Sequence, residues 1–260
     1  MKKKEKENNE LVVGVKLVTK FLNMLVESES CDKDIRITKE DAETMKEKLS
    51  SFIVEKDEER DFILSDDVLS VSELFWLIDN GHVSNLLLGK KVFIHNLLCE
   101  SKNWVIIGVN HDGTKNTVDL RAEVAALKVD QFGDSNYYED STLDKALVKM
   151  SEGFPEPVKD RMQVMDVMTN GSVIERKIKA LSMTELGLED YSDYIEKGEG
   201  NPYPFPTHMI KDKDGEYTYH VTRSRGTGSS TYVWGVSSGG GVSASACSGT
   251  YSVVPAIRLS

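Results

Sequence analysis

The residues with the clearest chemical potential lie in the last forty positions, 221–260, which contain ten serines, seven glycines and no acidic residue. The charges there are Arg223, Arg225 and Arg258. Arg223 is predicted to be structural, with its guanidinium bound to loop carbonyls or a buried carboxylate. Arg225 lies beside two glycines and is the better candidate for contact with a ligand. A surface with only positive charges would favour an acidic glycan or an acidic protein patch.

Aromatic residues in the same segment offer a second kind of contact. In STYVWGV, a strand would place Tyr232, Trp234 and Val236 on one face. An exposed aromatic pair is a good anchor for carbohydrate or protein. Trp234 is predicted to pack in the core, whereas Tyr232 and Tyr251 are left open between core and surface.

The stretch GVSASACSGTY contains only small side chains for eight successive positions. As a strand it directs Ser243, Ser245 and Cys247 to one side and their neighbours to the other. One interpretation is a closely packed strand that requires small residues. The other is a solvent-facing surface for display, which the sequence favours once the resemblance described below is included.

Motifs for catalysis are missing from the sequence, which has no G-x-S-x-G, no P-loop, no His-rich motif and no paired cysteines. NHDGT, with Asp112 and the later Asp119, does not have the spacing of an EF-hand. The three cysteines, Cys31, Cys99 and Cys247, are predicted to be free thiols. The protein is therefore expected not to be an enzyme and to bind no cofactor and no metal.

The overall charge restricts the partners. A net charge of -11 argues against nucleic acid, which requires clustered lysine and arginine. No stretch approaches the roughly 18 apolar residues of a membrane span, so membrane insertion is not expected. MKKKEKENNE leads into LVVGVKLV without a cleavage site and is a poor signal peptide.

The pattern of apolar residues predicts two amphipathic helices between residues 11 and 61. The first places Leu11, Val15, Val18 and Leu22 on one face, and the second begins with capping-box spacing at Thr38. The two helices can form an antiparallel hairpin or assemble several chains around a symmetry axis. A hairpin alone buries little surface, so homo-oligomerisation is favoured.

The rest of the chain alternates between helix and strand signals. Helices are predicted for residues 71–80, 141–150, 155–169 and 183–188, and strands for 91–97, 103–110, 117–124 and 177–182. Residues 190–218 are predicted to be a long irregular segment. Glycine clusters then separate four strands at intervals of roughly ten residues. The fold class is therefore α+β, with a helical module over 1–84 and a second domain over 85–260.

Five motifs in this order carry a resemblance to a known family: NWVIIGVNHDGTKNTVDLRAE, YYEDSTLDKAL, VKDRMQVMDV, KALSMTELGL, and VTRSR with VWGVSSGGGV and YSVVPAIRLS. The family is widespread in phages and gut bacteria and ends in WTRS-type and VRPAI-type strands. It is similar to C-type-lectin folds, to the variable proteins of diversity-generating retroelements and to formylglycine-generating-type domains. This chain has His220 and Val221 where the family has tryptophan before Thr-Arg-Ser, and Val254 where it has arginine before proline.

The resemblance implies a C-type-lectin-like domain that displays a variable surface to a host-cell protein or glycan. The protein would then belong to a phage virion, on the tail or capsid, and would also contact other virion subunits. The alternatives are a purely structural decoration protein and an enzyme related to formylglycine-generating domains. The candidate ligand contacts are Arg225, Thr227, Ser229, Tyr232, Ser237, Ser243, Ser245, Cys247, Thr250 and Tyr251.

Overall fold

A computed structural model of the protein describes residues 67–205 and 208–260. This part is a mixed α+β structure with many strands and few helices, which confirms the predicted class. The two helices predicted between residues 11 and 61, and Cys31, lie outside the described residues.

The first sheet has six strands, antiparallel except for its first pair. In spatial order they are β1 (Val68–Ser70), β2 (Lys91–Phe93), β3 (Asn103–Val109), β4 (Val118–Ala122), β15 (Pro255–Leu259) and β8 (Ile178–Ala180). The C-terminal strand therefore lies inside this sheet, between β4 and β8.

The second sheet has five strands and contains most of the C-terminal segment. In spatial order they are β13 (Val242–Ala246), β12 (Tyr232–Val236), β11 (His220–Arg225), β14 (Tyr251–Val253) and β5 (Leu127–Val129). Three of the four strands predicted for the tail are found as β11, β12 and β13, whereas the fourth, predicted over 251–260, is divided into β14 and β15. One residue, Val254, separates β14 from β15, so the chain passes directly from the second sheet into the first.

Helix α1 (Val71–Asp79) begins as its sequence predicts. The Ser70 hydroxyl accepts a hydrogen bond from the Glu73 amide, and the Glu73 carboxylate accepts one from the Ser70 amide, which is a capping box. Gly81 follows with φ of 69°, in the left-handed region that glycine favours at a helix end. Leu74 of α1 is fully buried in the main core. β1 and α1 therefore share the main core with strands that follow residue 85, although the predicted boundary between residues 84 and 85 stays a prediction.

Helix α2 (Thr142–Ser151) matches its prediction, but helix α3 (Glu156–Arg161) is shorter than predicted. The residues predicted to continue it form strand β6 (Met165–Thr169), which pairs with β7 (Ser172–Arg176). Between these strands Asn170 and Gly171 both have positive φ, as a two-residue hairpin requires. The alternation of buried and exposed residues in β6 is the strand pattern that the helical prediction missed.

The segment after β8 also differs from its prediction. Residues 183–188 form a succession of turns and not the expected short helix. The irregular segment predicted for 190–218 is found, and within its described residues it contains the hairpin of β9 (Ile210–Lys211) and β10 (Tyr217–Thr218).

The inner strands of each sheet have buried side chains on both faces. Ile257 of β15 lies in the main core, whereas its neighbour Ala256 lies in a second apolar cluster, because successive side chains of a strand point to opposite faces. Val233 and Val236 of β12 divide in the same way. The second cluster is completed by residues from 181–203, which thereby cover the second face of both sheets.

Candidate functional site

The outer strands of the second sheet decide which side chains of the C-terminal segment reach the surface. β12 and β13 pair antiparallel, with Tyr232 opposite Ala246 and Trp234 opposite Ala244. Residues directly opposite each other share a face of the sheet. Tyr232 is 48% exposed and both alanines are exposed. The accessible face therefore combines an aromatic row with a row of alanines.

The other face of these strands carries the serines that the sequence offered as ligand contacts. Ser245 lies opposite Val233, which is fully buried, and Ser243 and Ser245 are themselves half-buried. Cys247, two residues further on, is buried in the main core, and burial raises the pKa of its thiol. The structure thus removes Cys247 from the predicted contact surface and turns the two serines away from the exposed alanines.

Tyr251 belongs to the frame of the domain. It is buried, its phenol donates a hydrogen bond to the Ala246 carbonyl, and its ring centroid lies 5.8 Å from that of Tyr219. Burial raises the pKa of Tyr251. Of the two interpretations left open for this residue, core packing is therefore the correct one. Its neighbour Thr250 remains exposed.

Ser237 lies in the turn between β12 and β13, at the opposite end of β12 from Tyr232. Its hydroxyl accepts a hydrogen bond from the Gly241 amide at 3.0 Å, and its own amide donates to the Gly241 carbonyl at 2.7 Å. Ser237 therefore closes a hairpin and lies apart from the other candidate contacts around Arg225.

Arg225 lies at the end of β11, where the chain turns toward β12. Its Nε atom donates to Glu196 Oε2 at 2.6 Å, and its guanidinium carbon lies 5.5 Å from the centroid of the Tyr137 ring. The Glu196 amide also donates to the Arg225 carbonyl at 3.2 Å. The positive charge of Arg225 is therefore neutralised by a carboxylate from residues 181–203, which we call the covering segment.

Residues 226–231 connect β11 to β12 and are held by one buried side chain, Asn136. Its Nδ2 atom donates to the carbonyls of Gly226, Ser229 and Tyr232 at 3.1, 2.6 and 3.0 Å. The backbone amide of Asn136 donates to the Ser230 carbonyl at 2.8 Å. Asn136 is 2% exposed, so these bonds form away from water and fix the shape of the loop.

The covering segment binds the same loop from the other side. The Tyr194 carbonyl accepts hydrogen bonds from the Thr227 amide at 2.8 Å and from Trp234 Nε1 at 3.1 Å. Trp234 is half-buried and packs against the second apolar cluster, as its predicted core role requires. Of the predicted contacts near it, Thr227 is exposed and Ser229 is half-buried.

Three tyrosine side chains project around this loop: Tyr137 is 50% exposed, Tyr194 is 66% exposed and Tyr232 is 48% exposed. We refer to these three tyrosines, together with Trp234 and Arg225, as the tyrosine face. The sequence singled out Tyr232 and Arg225 but missed Tyr137 and Tyr194. The sequence signal for these two residues was a tyrosine within an otherwise acidic loop. That pattern does not reveal that the two loops meet at the hairpin of β11 and β12.

Arg223 is structural, as predicted from TRSR. It is 1% exposed and donates to Glu185 Oε2 at 2.5 Å and to the carbonyls of Ala180 and Glu199 at 2.8 and 2.7 Å. Lys179 donates to the other Glu185 oxygen at 2.6 Å. Burial alone would raise the pKa of Glu185, but the two cations lower it to about 2. Arg223 thus ties the covering segment to β11 and β8.

Glu199, whose carbonyl accepts a hydrogen bond from Arg223, is 2% exposed. Its Oε2 atom accepts a hydrogen bond from the Ser224 hydroxyl, whereas its Oε1 atom has no hydrogen-bond partner among the described residues. Burial raises the pKa of Glu199 to about 7, although Arg223 and Ser224 oppose the rise. This carboxyl therefore changes its charge near neutral pH inside the protein.

Arg258, the third arginine of the C-terminal segment, is also paired. Its Nε atom donates to Asp119 Oδ1 at 2.6 Å, and its Nη2 atom donates to Asp112 Oδ2 at 3.2 Å. All three arginines thus find carboxylates outside the last forty residues. The expected surface with only positive charges is therefore wrong, and the two aspartates that raised the question of calcium bind Arg258.

A cleft of about 800 Å³ lies between α2 and β7. Asp144 and Arg176, two of its lining residues, form an ion pair at 2.7 Å, which raises the pKa of Arg176. The remaining charges along the cleft are of both signs and include Lys145, Lys149 and Glu152. This arrangement does not favour a ligand of either charge.

No family model matches this chain, and no curated protein or solved structure matches it. Among residues 67–205 and 208–260, no three histidine, cysteine, aspartate or glutamate side chains are grouped so that they could hold a metal ion. In the same part of the chain, no helix is both long and apolar enough to span a membrane.

Proposed function

We propose that this protein is a non-enzymatic binding protein and that the tyrosine face contacts its ligand. The observation that carries the proposal is the convergence of Tyr137, Tyr194 and Tyr232 on the loop that Asn136 anchors. Tyrosine and tryptophan are enriched among the residues that dominate binding energy at protein interfaces. They provide a large contact area and lose little conformational freedom on binding.

The rigidity of the loop supports the same proposal. Asn136 makes three hydrogen bonds to the loop and one to Tyr232 at the start of β12, and the Tyr194 carbonyl accepts one from the loop and one from Trp234. A surface that is already ordered before it meets its ligand avoids part of the entropy cost of binding. The side chains of the face can therefore be replaced while the backbone that presents them stays in place.

We propose further that the domain has a C-type-lectin-like fold and belongs to the phage and gut-bacterial family described above. The order of the five motifs supports this, as does a mixed α+β unit whose last strands occupy both sheets. On this proposal the protein is a virion component of the tail or capsid, and its ligand is a protein or glycan on the host surface. Residues 11–61 would mediate homo-oligomerisation and contacts with other virion subunits.

The test is binding of the purified full chain to a panel of intact gut bacterial strains. A double variant, Tyr194→Ala with Tyr232→Ala, is compared with the control Tyr217→Ala, at a tyrosine that is 50% exposed and lies on β10. We expect binding to some strains, a loss of at least tenfold in the double variant and no loss in the control.

Melting temperatures of the three proteins establish that the variants fold. Equal binding by wild type and double variant would refute a ligand-binding role for the tyrosine face. Binding to no strain, together with tight association with virion proteins, would favour the alternative of a structural decoration protein.

A further inference from the structure

The charges around the tyrosine face indicate which ligand it suits. Two loops, residues 134–140 and 189–197, carry Tyr137 and Tyr194 and contain seven acidic residues and one basic residue, Lys197. Lys197 is paired with Asp190 at 2.8 Å, and Arg225 is paired with Glu196. The acidic side chains Asp134, Asp190 and Asp193 are exposed, whereas Asp140 lines the cleft between α2 and β7 and Glu139 contributes to the raised pKa of Arg176 there. The surroundings of the three rings are therefore negative, which disfavours an acidic glycan.

Arg225 provides an internal example of what these groups bind. Its guanidinium lies 5.5 Å from the centre of the Tyr137 ring and forms a 2.6 Å hydrogen bond to the Glu196 carboxylate. An aromatic face and a carboxylate together stabilise a cation through the ring quadrupole and the ion pair. One cation of the protein itself is thus already held by a tyrosine and an acid at this face.

The covering segment also exposes further acidic side chains and rings. Asp190, Tyr191, Asp193 and Tyr194 are exposed, with Tyr191 at 67%. The following residue, Ile195, is 1% exposed in the second apolar cluster, which fixes the segment from beneath. Asp193 and the rings of Tyr191 and Tyr194 are therefore presented to solvent on an ordered backbone, beside an Asp190 that is paired with Lys197.

We infer, on the basis of the proposed function, that the tyrosine face binds a basic polypeptide segment through its lysine and arginine side chains. The rings supply contact area and cation–π attraction, and the carboxylates determine the sign of the charge that is accepted. Complementary charge of this kind mainly accelerates association and selects the partner. The rings thus provide the contact area, and the carboxylates select a ligand of positive charge.

In a first experiment, the tyrosines of the full chain are isotope-labelled and Nα-acetyl-arginine amide is added stepwise. The signals of the tyrosine rings are followed by NMR. We expect the signals of Tyr137, Tyr194 and Tyr232 to shift and that of Tyr217 to stay, because the Tyr217 ring already faces Lys211 at 5.2 Å. Methyl glycosides of mannose, galactose and N-acetylglucosamine serve as the comparison. Shifts with a glycoside and none with the arginine probe would overturn the inference.

A second experiment reverses charge on both loops with Asp134→Lys and Asp193→Lys in one protein. We expect binding to a responsive bacterial strain to fall at least tenfold, and its dependence on ionic strength to weaken. The matched control is Asp214→Lys, an exposed acid in the turn between β9 and β10.

These experiments separate this inference from the proposed function. Strain binding that requires the tyrosines but is unchanged by charge reversal would refute the basic partner and leave the binding function standing. If no strain binds, the proposed function fails, and the NMR titration alone decides whether the face accepts a cation.

Discussion

Arg223 Nη1 and Glu185 Oε2 lie 2.5 Å apart, and both side chains are almost completely buried. Glu185 belongs to the segment that covers the second face of both sheets, and Arg223 belongs to β11. Because Lys179 of β8 binds the same carboxylate, one acid joins the first sheet, the second sheet and the covering segment. The buried ion network therefore holds the covering segment, which carries Tyr194, against both sheets.

Removing the charge of Glu185 should destabilise the fold severely. Glu185→Gln leaves Arg223 and Lys179 buried without their carboxylate, and breaking a buried pair in this way costs about 3–5 kcal/mol. Urea unfolding at pH 7 measures the loss. Glu175→Gln, at an exposed acid of β7, is the control and should leave the free energy of unfolding unchanged. A loss for Glu185→Gln no larger than the control's would contradict the structural role of the network.

Glu199 should make stability depend on pH near neutrality. Its pKa in the folded protein is about 7, above its ordinary value of 4.5, so between these values the folded state binds more protons than the unfolded state. Its contribution to stability is then present below pH 4.5 and is lost as pH rises to about 7, by on the order of 3 kcal/mol.

Urea unfolding of wild type and Glu199→Gln between pH 4.5 and 8 measures this dependence. The stability of the wild type relative to the variant should fall across the range. Glu185 acts in a separate window, because its lowered pKa contributes stability above pH 4.5 that is lost only toward pH 2. Parallel pH profiles for the two proteins would show that Glu199 does not titrate where we expect.

Asn136→Ala should loosen the loop between β11 and β12. The substitution removes the side-chain donor to the carbonyls of Gly226, Ser229 and Tyr232, at a cost of roughly 1–3 kcal/mol. Of these three, the Tyr232 carbonyl keeps a hydrogen bond from the Gly226 amide at 3.1 Å. Hydrogen exchange of the Thr227 amide should accelerate, and ligand binding should weaken. Asn201→Ala, at an exposed asparagine bonded to Asp112, is the matched control and should leave this exchange unchanged.

Gly235→Ala should disturb the pairing of β11 and β12. A methyl group at Gly235 would lie 2.6 Å from the His220 carbonyl oxygen, closer than a carbon atom can approach. Forcing extra volume into such a site costs typically about 1–3 kcal/mol. Gly239→Ala has open space around the new methyl group and should be tolerated. Thermal unfolding compares the two, and equal melting temperatures would contradict the close approach.

Local patterns in the sequence predicted much of the fold. Ser70 and Glu73 determine the start of α1 through contacts three residues apart, and glycine clusters separate the strands of the tail. The prediction failed for β6, because Val158, Met162 and Met165 continue the spacing of a helix although Met165 and Val167 alternate as in a strand. Only pairing with β7, which lies outside that stretch, distinguishes the two.

The candidate site was predictable only for residues whose relative positions follow from the geometry of a single strand. Tyr232 and Trp234 share a face by the geometry of a strand, and Arg223 was recognised as structural. Which face points outward was not determined, and Cys247 was assigned to the wrong one. Alternation specifies that Ala246 and Cys247 oppose each other, but the direction of the core depends on how the sheet packs.

The sequence by itself determined that the last forty residues carry three arginines and no acid, and that they form strands. Only the tertiary structure decided what those arginines bind, since Glu185, Glu196 and Asp119 come from 29 to 139 positions away in the chain. It also brought Tyr137 and Tyr194 to the hairpin of Tyr232. Local patterns record hydrogen-bonding and burial preferences over a few residues, whereas ion pairs and surface clusters arise when distant segments pack together.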